Sequence, residues 1–375
     1  MSQRLRVGVI GCGGVAQMMH LPYLTSLGDK FEVAAIADLS AGVLRTLGER
    51  YNVPENHRFT RFQDLVALDL DAVLVTTSGN HYAQVRAALD AGKHVLSEKP
   101  VCYSAHEAEE LIEAARRADR KLMVAYMKRY DPGYLWAQAQ LRQMSDLRYI
   151  QINTLHPAED DYLRIHNIVR YNDIPAETLK ALQAQDNTDI IAAVGEIAPA
   201  LRSTYANVLL GSMVHDVNAL RGLVGDPEGV PFTEIWFDGH GDPTITTVFQ
   251  YPERLRAIFT WTYLPDLRNY FEEIALMSPA NRLRIQFPSP YLKHFPSPVV
   301  FEGMAEGVAF EKRVIASYDE AFRRELVAFY DCIANNTPPL TDAADARADI
   351  RLLQQVLAAF KPEGLGGEAA AGRSR

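Results

Sequence analysis

The stretch Val7-Gly8-Val9-Ile10-Gly11-Cys12-Gly13-Gly14-Val15-Ala16 decides how the first third of the chain reads. An apolar run of strand type drives into Gly11-x-Gly13-x-x-Ala16, and a helix-compatible segment follows it. That order is the strand, tight turn and helix start of a dinucleotide-binding fingerprint. Gly11 makes the turn, Gly13 lets the backbone approach a pyrophosphate, and Ala16 lets the helix lie close on the strand. Gly14 and Val15 belong to the same seat, where free N–H groups and the positive end of the helix dipole favour phosphate.

A single such turn is a weak signal, so its surroundings carry the reading. Residues 31–37 form a second strand that ends on Asp38, about 20 residues past the glycines, as expected of the acid that holds an adenosine ribose. A carboxylate there accepts from both ribose hydroxyls and repels a 2′-phosphate, which favours NAD over NADP. A strand-end Asp also serves to cap the next helix, so both roles stay open. Further strands are expected at 71–76, 94–97 and 121–125, with helices at 15–27, 41–51, 80–91 and 104–119 between them. Pro22 is expected to bend or end the first helix. Gly92 stops the 80–91 helix, and Ser104-x-x-Glu107 is a capping box. Regular alternation of strand and helix makes this a doubly wound parallel α/β sheet of Rossmann type.

At 375 residues the chain is long enough for two domains. Composition is that of a globular protein, 48% apolar and 23% charged, with a formal net charge of −9. An acidic balance without a basic stretch argues against a nucleic-acid surface. Cys12, Cys102 and Cys332 are odd in number and far apart, as in a reducing cytoplasm, and none has metal-ligand spacing. No metal is expected, and no apolar run reaches the length of a membrane span. The start of the chain reads as strand rather than as a leader peptide, and the expected location is cytoplasmic.

Taken in series, the motifs resemble the Gfo/Idh/MocA oxidoreductases, the family of glucose–fructose oxidoreductase and inositol dehydrogenase. The carriers are Gly11 to Ala16, Thr76-Thr77-x-x-Asn80-His81, Gly92-Lys93-His94-Val95-Leu96-Ser97-Glu98-Lys99-Pro100 and Tyr126-x-x-Arg129-x-x-Pro132. A helix over 210–224 with His215, and Asn336-Thr337-Pro338-Pro339-Leu340-Thr341, continue the likeness. Residues 157–206 fall outside it.

The resemblance implies a dinucleotide-binding domain over 1–128 and a substrate-binding and oligomerising α+β domain over 129–362, built on an open, mostly antiparallel sheet. The chain's own alternation agrees, with strands expected at 148–155, 232–239, 244–251, 255–262, 270–277 and 282–287. Helices at 320–335 and 342–360 close the fold, and residues 363–375, rich in Gly, Ala and charge, read as a disordered tail. An open sheet with one uncovered face suggests a homodimer or homotetramer.

For the chemistry, the resemblance places the Lys99 ammonium on the reacting hydroxyl beside the nicotinamide, with Glu98 and Pro100 as positioners. A lysine there lowers the hydroxyl pKa and shares in proton transfer. His215 is the second candidate, as base or hydroxyl partner. The family pattern puts an Asp four residues before it, on the same helix face; here that position is Gly211. Asp216 points about 100° away from His215, and Asn218 fits better as a neighbour but brings no charge. A carboxylate from the unmatched segment is another way to replace the missing Asp, and a structural core histidine is the plain alternative.

Tyr126, Lys128 and Arg129 follow the last strand of the first sheet, at the carboxyl edge where ligands bind. They read as substrate-binding residues or as an interdomain ion pair. Thr76, Thr77, Asn80, His81, Glu98 and Lys99 are expected to bind the cofactor, Asn80 and His81 on its nicotinamide side, with Asn80 also able to cap its helix. His156 and Asp216 join the substrate-binding candidates. Residues 157–206, with helices expected at 175–185 and 190–201, read as a specificity lid over the site or as an oligomer contact.

The leading expectation is an NAD-dependent dehydrogenase acting on a secondary hydroxyl of a sugar, amino sugar or cyclitol. A redox-neutral enzyme that recycles its NAD through elimination or deglycosylation is a second reading. A non-catalytic regulator sensing dinucleotide or sugar on the same fold is a third.

Overall fold

The computed structural model describes residues 4–237, 239 and 241–361; the expected tail at 363–375 lies outside them. The chain begins with β1 (Leu5–Ile10), whose Val7 and Val9 are fully buried. Burying each such side chain contributes about 1.5–3 kcal/mol, which fixes this strand in the middle of a sheet. The helix after the glycine turn is widened over Ala16–His20 and tightens into α1 (Leu21–Ser26). Pro22 lies within the first turn of α1. It has no N–H to donate back along the helix, and the widened turn before it accommodates that loss, so the helix neither ends nor breaks there.

There follow β2 (Phe31–Ala37), α2 (Ala41–Arg50), β3 (Arg58–Phe59), α3 (Phe62–Val66), β4 (Ala72–Val75), α4 (Tyr82–Asp90), β5 (His94–Ser97), α5 (Ala105–Ala118) and β6 (Leu122–Val124). The six strands form one sheet in the order β3-β2-β1-β4-β5-β6, every pair parallel. Local chemistry sets the helix starts. Ser40 Oγ accepts from Val43 N at 3.1 Å, and Ser104 and Glu107 close the expected capping box. The order reverses between β1 and β4, so the cleft at their carboxyl ends is the natural ligand seat of such a sheet.

After α6 (Pro132–Leu141), which the sequence reading did not anticipate, β7 (Tyr149–His156) enters a second sheet. Then come α7 (Asp160–Leu163), α8 (Ala176–Val194), α9 (Pro199–Ser203) and α10 (Val214–Val224). Instead of helices at 175–185 and 190–201, one helix runs through to Val194, because nothing between Ala176 and Val194 breaks it; Gly195, at φ +80°, does. The remaining strands are β8 (Gly229–Trp236), β9 (Thr244–Gln250), β10 (Arg256–Tyr263), β11 (Phe271–Met277), β12 (Arg282–Phe287), β13 (Val299–Ala305) and β14 (Val308–Val314).

This eight-stranded sheet runs β14-β13-β12-β11-β7-β10-β9-β8, antiparallel except for the central β7–β10 pair. The β13–β14 hairpin was missed because β14 is exposed along nearly its whole length and lacks an apolar period. Helices α11 (Ala321–Ala334) and α12 (Ala343–Ala359) return to the first sheet: α12 packs on both α5 and β8, and Val124 N donates to Thr341 O at 2.7 Å beside it. Thus the C-terminal chain ties the two sheets together and fixes the cleft between them. No helix among the described residues is long and apolar enough to cross a membrane.

Candidate active site

At the glycine turn, Gly11 has φ +87°, and a Cβ there would come within 2.6 Å of Thr77 N. Both conditions demand glycine. A side chain added at Gly13 would meet nothing within 4 Å, so the space above the turn is open. Asp38 closes the far side: its Oδ2 accepts from Cys12 N at 2.8 Å and its Oδ1 from Ser40 N at 2.9 Å. The carboxylate therefore holds both the glycine turn and the start of α2. Thr76 Oγ1 donates to the carbonyl of Gly11, and the buried hydroxyl of Thr77 has no partner among the described residues. An open phosphate seat, an acid at the end of β2 and an unsatisfied hydroxyl opposite fit a dinucleotide.

Asn80 Oδ1 accepts from Tyr82 N at 3.0 Å, the capping role, while its Nδ2 donates to Glu107 at 2.8 Å. His81 is buried, with its two ring nitrogens each 2.7 Å from a carbonyl, Glu98 O and Thr77 O. Burial lowers its pKa against the pull of those carbonyls. His81 thus braces the loops after β4 and β5 to one another rather than facing open space.

Beyond this seat lies a cavity of about 470 Å³ between the two sheets, lined among others by Lys99, Lys128, His156, Glu159, His215 and Glu272. Lys99 Nζ donates to Gly211 O at 2.6 Å. Here the residue that replaces the expected Asp is used through its backbone: the helix is widened over Thr204–Met213, and the Gly211 carbonyl anchors the ammonium. Burial lowers the Lys99 pKa, while Glu98 and Glu159 hold it up. Behind it, Glu98 Oε1 lies 2.8 Å from His20 Nε2. Burial pushes the Glu98 carboxyl up, but His20, Lys99 and His81 outweigh it and bring its pKa below the ordinary value.

His215 sits one turn along the same helix, with Nδ1 buried and unpartnered among the described residues. Burial, reinforced by the charges of Lys99 and Lys128, holds its pKa well below the ordinary histidine value. The ring is neutral at pH 7 and able to accept a proton.

Lys128 is buried and already engaged. Its ammonium pairs with Asp216 Oδ1 at 3.0 Å and with Glu272 Oε1, and lies 4.9 Å from the centre of the Phe287 ring. Asp216 Oδ2 accepts from Thr154 Oγ1 at 3.0 Å, and Glu272 Oε2 accepts from the Tyr270 hydroxyl at 2.6 Å. Asp216 and Lys128 therefore border the cavity as a satisfied ion pair. His156 Nε2 is 3.3 Å from Glu159 Oε1, and its ring is tilted against Trp261 at 5.8 Å.

Tyr126 and Arg129 are corrections to the expected substrate set. The chain turns tightly over Met127–Tyr130, so Lys128 faces the cavity and Arg129 faces away from it. Arg129 reaches Asn218 Oδ1 at 3.3 Å and Asp345 Oδ2 at 3.5 Å, an ion pair to the C-terminal helix. Tyr126 is buried beside Asp345, Asp349 and Arg221. Asn218 also belongs to that network, with Nδ2 donating to Asp349 Oδ2 at 2.7 Å, and is not the partner of His215.

Glu159, Glu272, Tyr270 and Tyr291 were missed. Glu272 left one trace in the sequence, a charge at an inward-facing position of an alternating strand. Glu159 left none.

Residues 5–126 match the model of an oxidoreductase family with an NAD-binding Rossmann fold, Gfo/Idh/MocA. The chain is 35% identical over 141 residues to an inositol 2-dehydrogenase/D-chiro-inositol 3-dehydrogenase of Shouchella clausii, which is 37% of this chain and 40% of that protein. It is 32% identical over 229 residues to an inositol 2-dehydrogenase 3 of Saccharopolyspora erythraea, covering 59% of this chain and 54% of that one. The matches thus span about half or less of these curated relatives. Among solved structures, aldose-aldose oxidoreductase from Caulobacter crescentus superposes with a TM-score of 0.72 at 19% identity, over 95% of this chain and 97% of that one. A 3-ketoreductase from Actinomadura kijaniata, in complex with TDP-benzene and NADP, superposes with a TM-score of 0.73 at 20% identity, over 96% and 98%. These two likenesses establish the fold.

Proposed function

We propose, for a chain whose residues 5–126 belong to the Gfo/Idh/MocA oxidoreductases, that the protein is an NAD-dependent dehydrogenase of a secondary hydroxyl on a sugar, amino sugar or cyclitol. The observation that carries this reading is the meeting of Lys99, from the loop after β5 of the dinucleotide-binding sheet, and His215 at one cavity. When bound, a nicotinamide supplies the acceptor for a hydride leaving the carbinol carbon. Gly11, Gly13, Gly14, Val15 and Ala16 seat its phosphates, and Asp38 takes the adenosine ribose. Asp38 is also the basis for NAD in preference to NADP, since a 2′-phosphate would meet a carboxylate already fixed in place.

Lys99, held by the Gly211 carbonyl, points an ammonium that hydrogen-bonds the substrate oxygen and stabilises negative charge as it develops there. His215, neutral through burial and two neighbouring ammonium groups, accepts the hydroxyl proton. In the reverse direction the same pair returns that proton to a carbonyl oxygen. Glu159 and His156, which line the same cavity, offer an acceptor and a ring edge to further hydroxyls, which suits a polyol. Glu272 and Asp216 neutralise Lys128, which leaves Lys99 as the cavity lysine available to the substrate.

The test is purified protein, bound or added NAD, and a panel of cyclitols and sugars, read as reduced-nicotinamide absorbance within a single turnover. Absorbance with at least one polyol, lost in Lys99→Ala, is expected; an undiminished variant removes Lys99 from the chemistry.

A further inference from the structure

The cavity that holds Lys99 and His215 is unequal in charge. Its lysines are Lys99 and Lys128, and no arginine is among the described residues that line it. Against them stand Asp216 and Glu272 at Lys128, Glu159 on the link after β7, and the exposed Asp160 and Asp242. Asp131 and Glu320 line it as well, accepting from Tyr134 N at 3.0 Å and from His294 N at 2.8 Å.

Neither lysine is free to receive an anion. Lys128 is shut in by two carboxylates. Lys99, anchored on the Gly211 carbonyl, is taken up by the reacting oxygen. Recognition of a phosphate or carboxylate calls for a guanidinium fork or an available ammonium. A phosphorylated or acidic sugar would bring its charge into a cavity whose described residues hold no free cation to meet it.

Glu159 is the carboxylate left over. Its Oε1 accepts from the Tyr291 hydroxyl at 3.1 Å and lies 3.3 Å from His156 Nε2. Among the described residues Oε2 has no hydrogen-bond partner, and no lysine or arginine pairs with the group. The side chain is 35% exposed, within reach of a ligand. It is also close enough to Lys99 to hold that ammonium's pKa up, which puts it near the carbinol that Lys99 contacts.

Aromatic rings crowd the same wall. The His156 ring lies 5.8 Å from Trp261 and 5.6 Å from Tyr270, and Tyr263 and Tyr291 line the cavity too. Carboxylates beside aromatic faces are surroundings in which a desolvated ammonium is stable. The cavity shows this once already, at Lys128, whose Nζ lies 4.9 Å from the centre of the Phe287 ring and pairs with Asp216 and Glu272.

We infer that the substrate is a sugar or cyclitol bearing a free amine, whose ammonium sits on Glu159 while its carbinol meets Lys99 and His215. This rests on the dehydrogenase reading and narrows it. The amine takes no part in the redox step: the carbinol gives a hydride from carbon to the nicotinamide and a proton from oxygen to His215. The ammonium donates to Glu159 Oε2, a charge-assisted bond that a hydroxyl in the same place makes more weakly. Acetylation of the amine removes the charge, and a carboxylate in its place faces Glu159 as a like charge.

The experiment gives the whole chain, with NAD, two matched sets: glucosamine, glucose, N-acetylglucosamine and glucuronate, and scyllo-inosamine beside scyllo-inositol. Reduced-nicotinamide absorbance yields kcat/KM, and calorimetry in the presence of NAD yields the Kd of each compound. Each amine should exceed its hydroxyl counterpart at least about tenfold, with glucuronate the weakest of its set. Glu159→Gln, which keeps the shape and removes the charge, should bring the amine-to-hydroxyl ratio close to one. In the wild type that ratio should fall as pH rises through the amine's own pKa, a dependence that a merely structural Glu159 would not produce. Amine and hydroxyl treated alike, glucuronate preferred, or an amine preference that survives Glu159→Gln overturns the ammonium site and leaves the dehydrogenase reading standing. Neither turnover nor binding in either set overturns both.

Discussion

At the glycine turn, Gly11, Gly13 and Asp38 belong to one strand–turn–helix–strand unit. The cavity between the sheets draws Lys99 from the loop after β5, Lys128 from the turn after β6, Glu159 from the link between β7 and α7, His215 from α10 and Glu272 from β11. In the first region, spacing along the chain already fixes spacing in space, because a parallel strand and its crossover helix have one geometry. In the second, side chains more than a hundred residues apart meet only because two sheets are tied together by α12 and the Thr341 contact. The glycine turn is accordingly set by local geometry, and the cavity wall by contacts between distant segments.

Breaking the cavity side should have the largest effect. Lys99→Ala should lower turnover about 10³-fold with NAD binding unchanged, measured by single-turnover absorbance alongside equilibrium dialysis. A parallel loss of NAD affinity would place Lys99 in the cofactor seat instead. His215→Asn follows, at about 10²-fold. In the wild type the acid limb of kcat/KM should fall below the ordinary histidine range, since burial and two ammonium groups disfavour the imidazolium. An acid limb unchanged in the variant assigns the titration to another group.

On the other side of the comparison the effects are smaller. Asp38→Ala should improve the NADP-to-NAD ratio of kcat/KM about tenfold, and Asp173→Ala should move it in the same direction by less, because Asp173 accepts from Gly42 N at the start of the helix whose Ser40 N Asp38 holds. Gly11→Ala tests the turn's rigidity: a left-handed φ and a 2.6 Å approach to Thr77 N should cost about 1–3 kcal/mol, seen as a thermal midpoint lowered by a few degrees.

The smallest effect concerns the sheet alone. Burial pushes His94 down to about 4 from 6.5, with neighbouring Arg120 and Lys121 reinforcing it, and its Nδ1 accepts from Lys121 N at 2.9 Å. Between those two pH values the unfolded chain binds a proton that the folded chain does not. Stability therefore rises with pH through that window and is lost as pH falls toward 4. Urea midpoints at pH 7 and 4.5 should differ less in His94→Gln than in the wild type.

Tyr126, Lys128 and Arg129 show how far the sequence could be read. Position at the carboxyl edge of β6 was legible, because strand ends can be counted. Which of these three side chains faces the cavity was not, since a single tight turn over Met127–Tyr130 sends Lys128 and Arg129 to opposite sides. Gly211 teaches the same from the other direction. Its sequence signal was an absent carboxylate, and only the fold shows its carbonyl holding Lys99. The contacts of the 157–206 segment left no pattern at all: Gln17, Gly42 and Gly79 are unremarkable residues until Val169, Tyr171 and Asp186 meet them.

What the amino-acid sequence determined by itself is the parallel sheet, the glycine turn and the acid at the end of β2, all products of short-range periodicity and turn chemistry. The tertiary structure alone decided the partners of Lys99, the neutrality of His215 and the contacts that the 157–206 segment makes with the first sheet. Each of these depends on desolvation and on contacts between distant segments, which exist only once the two sheets have closed on one another.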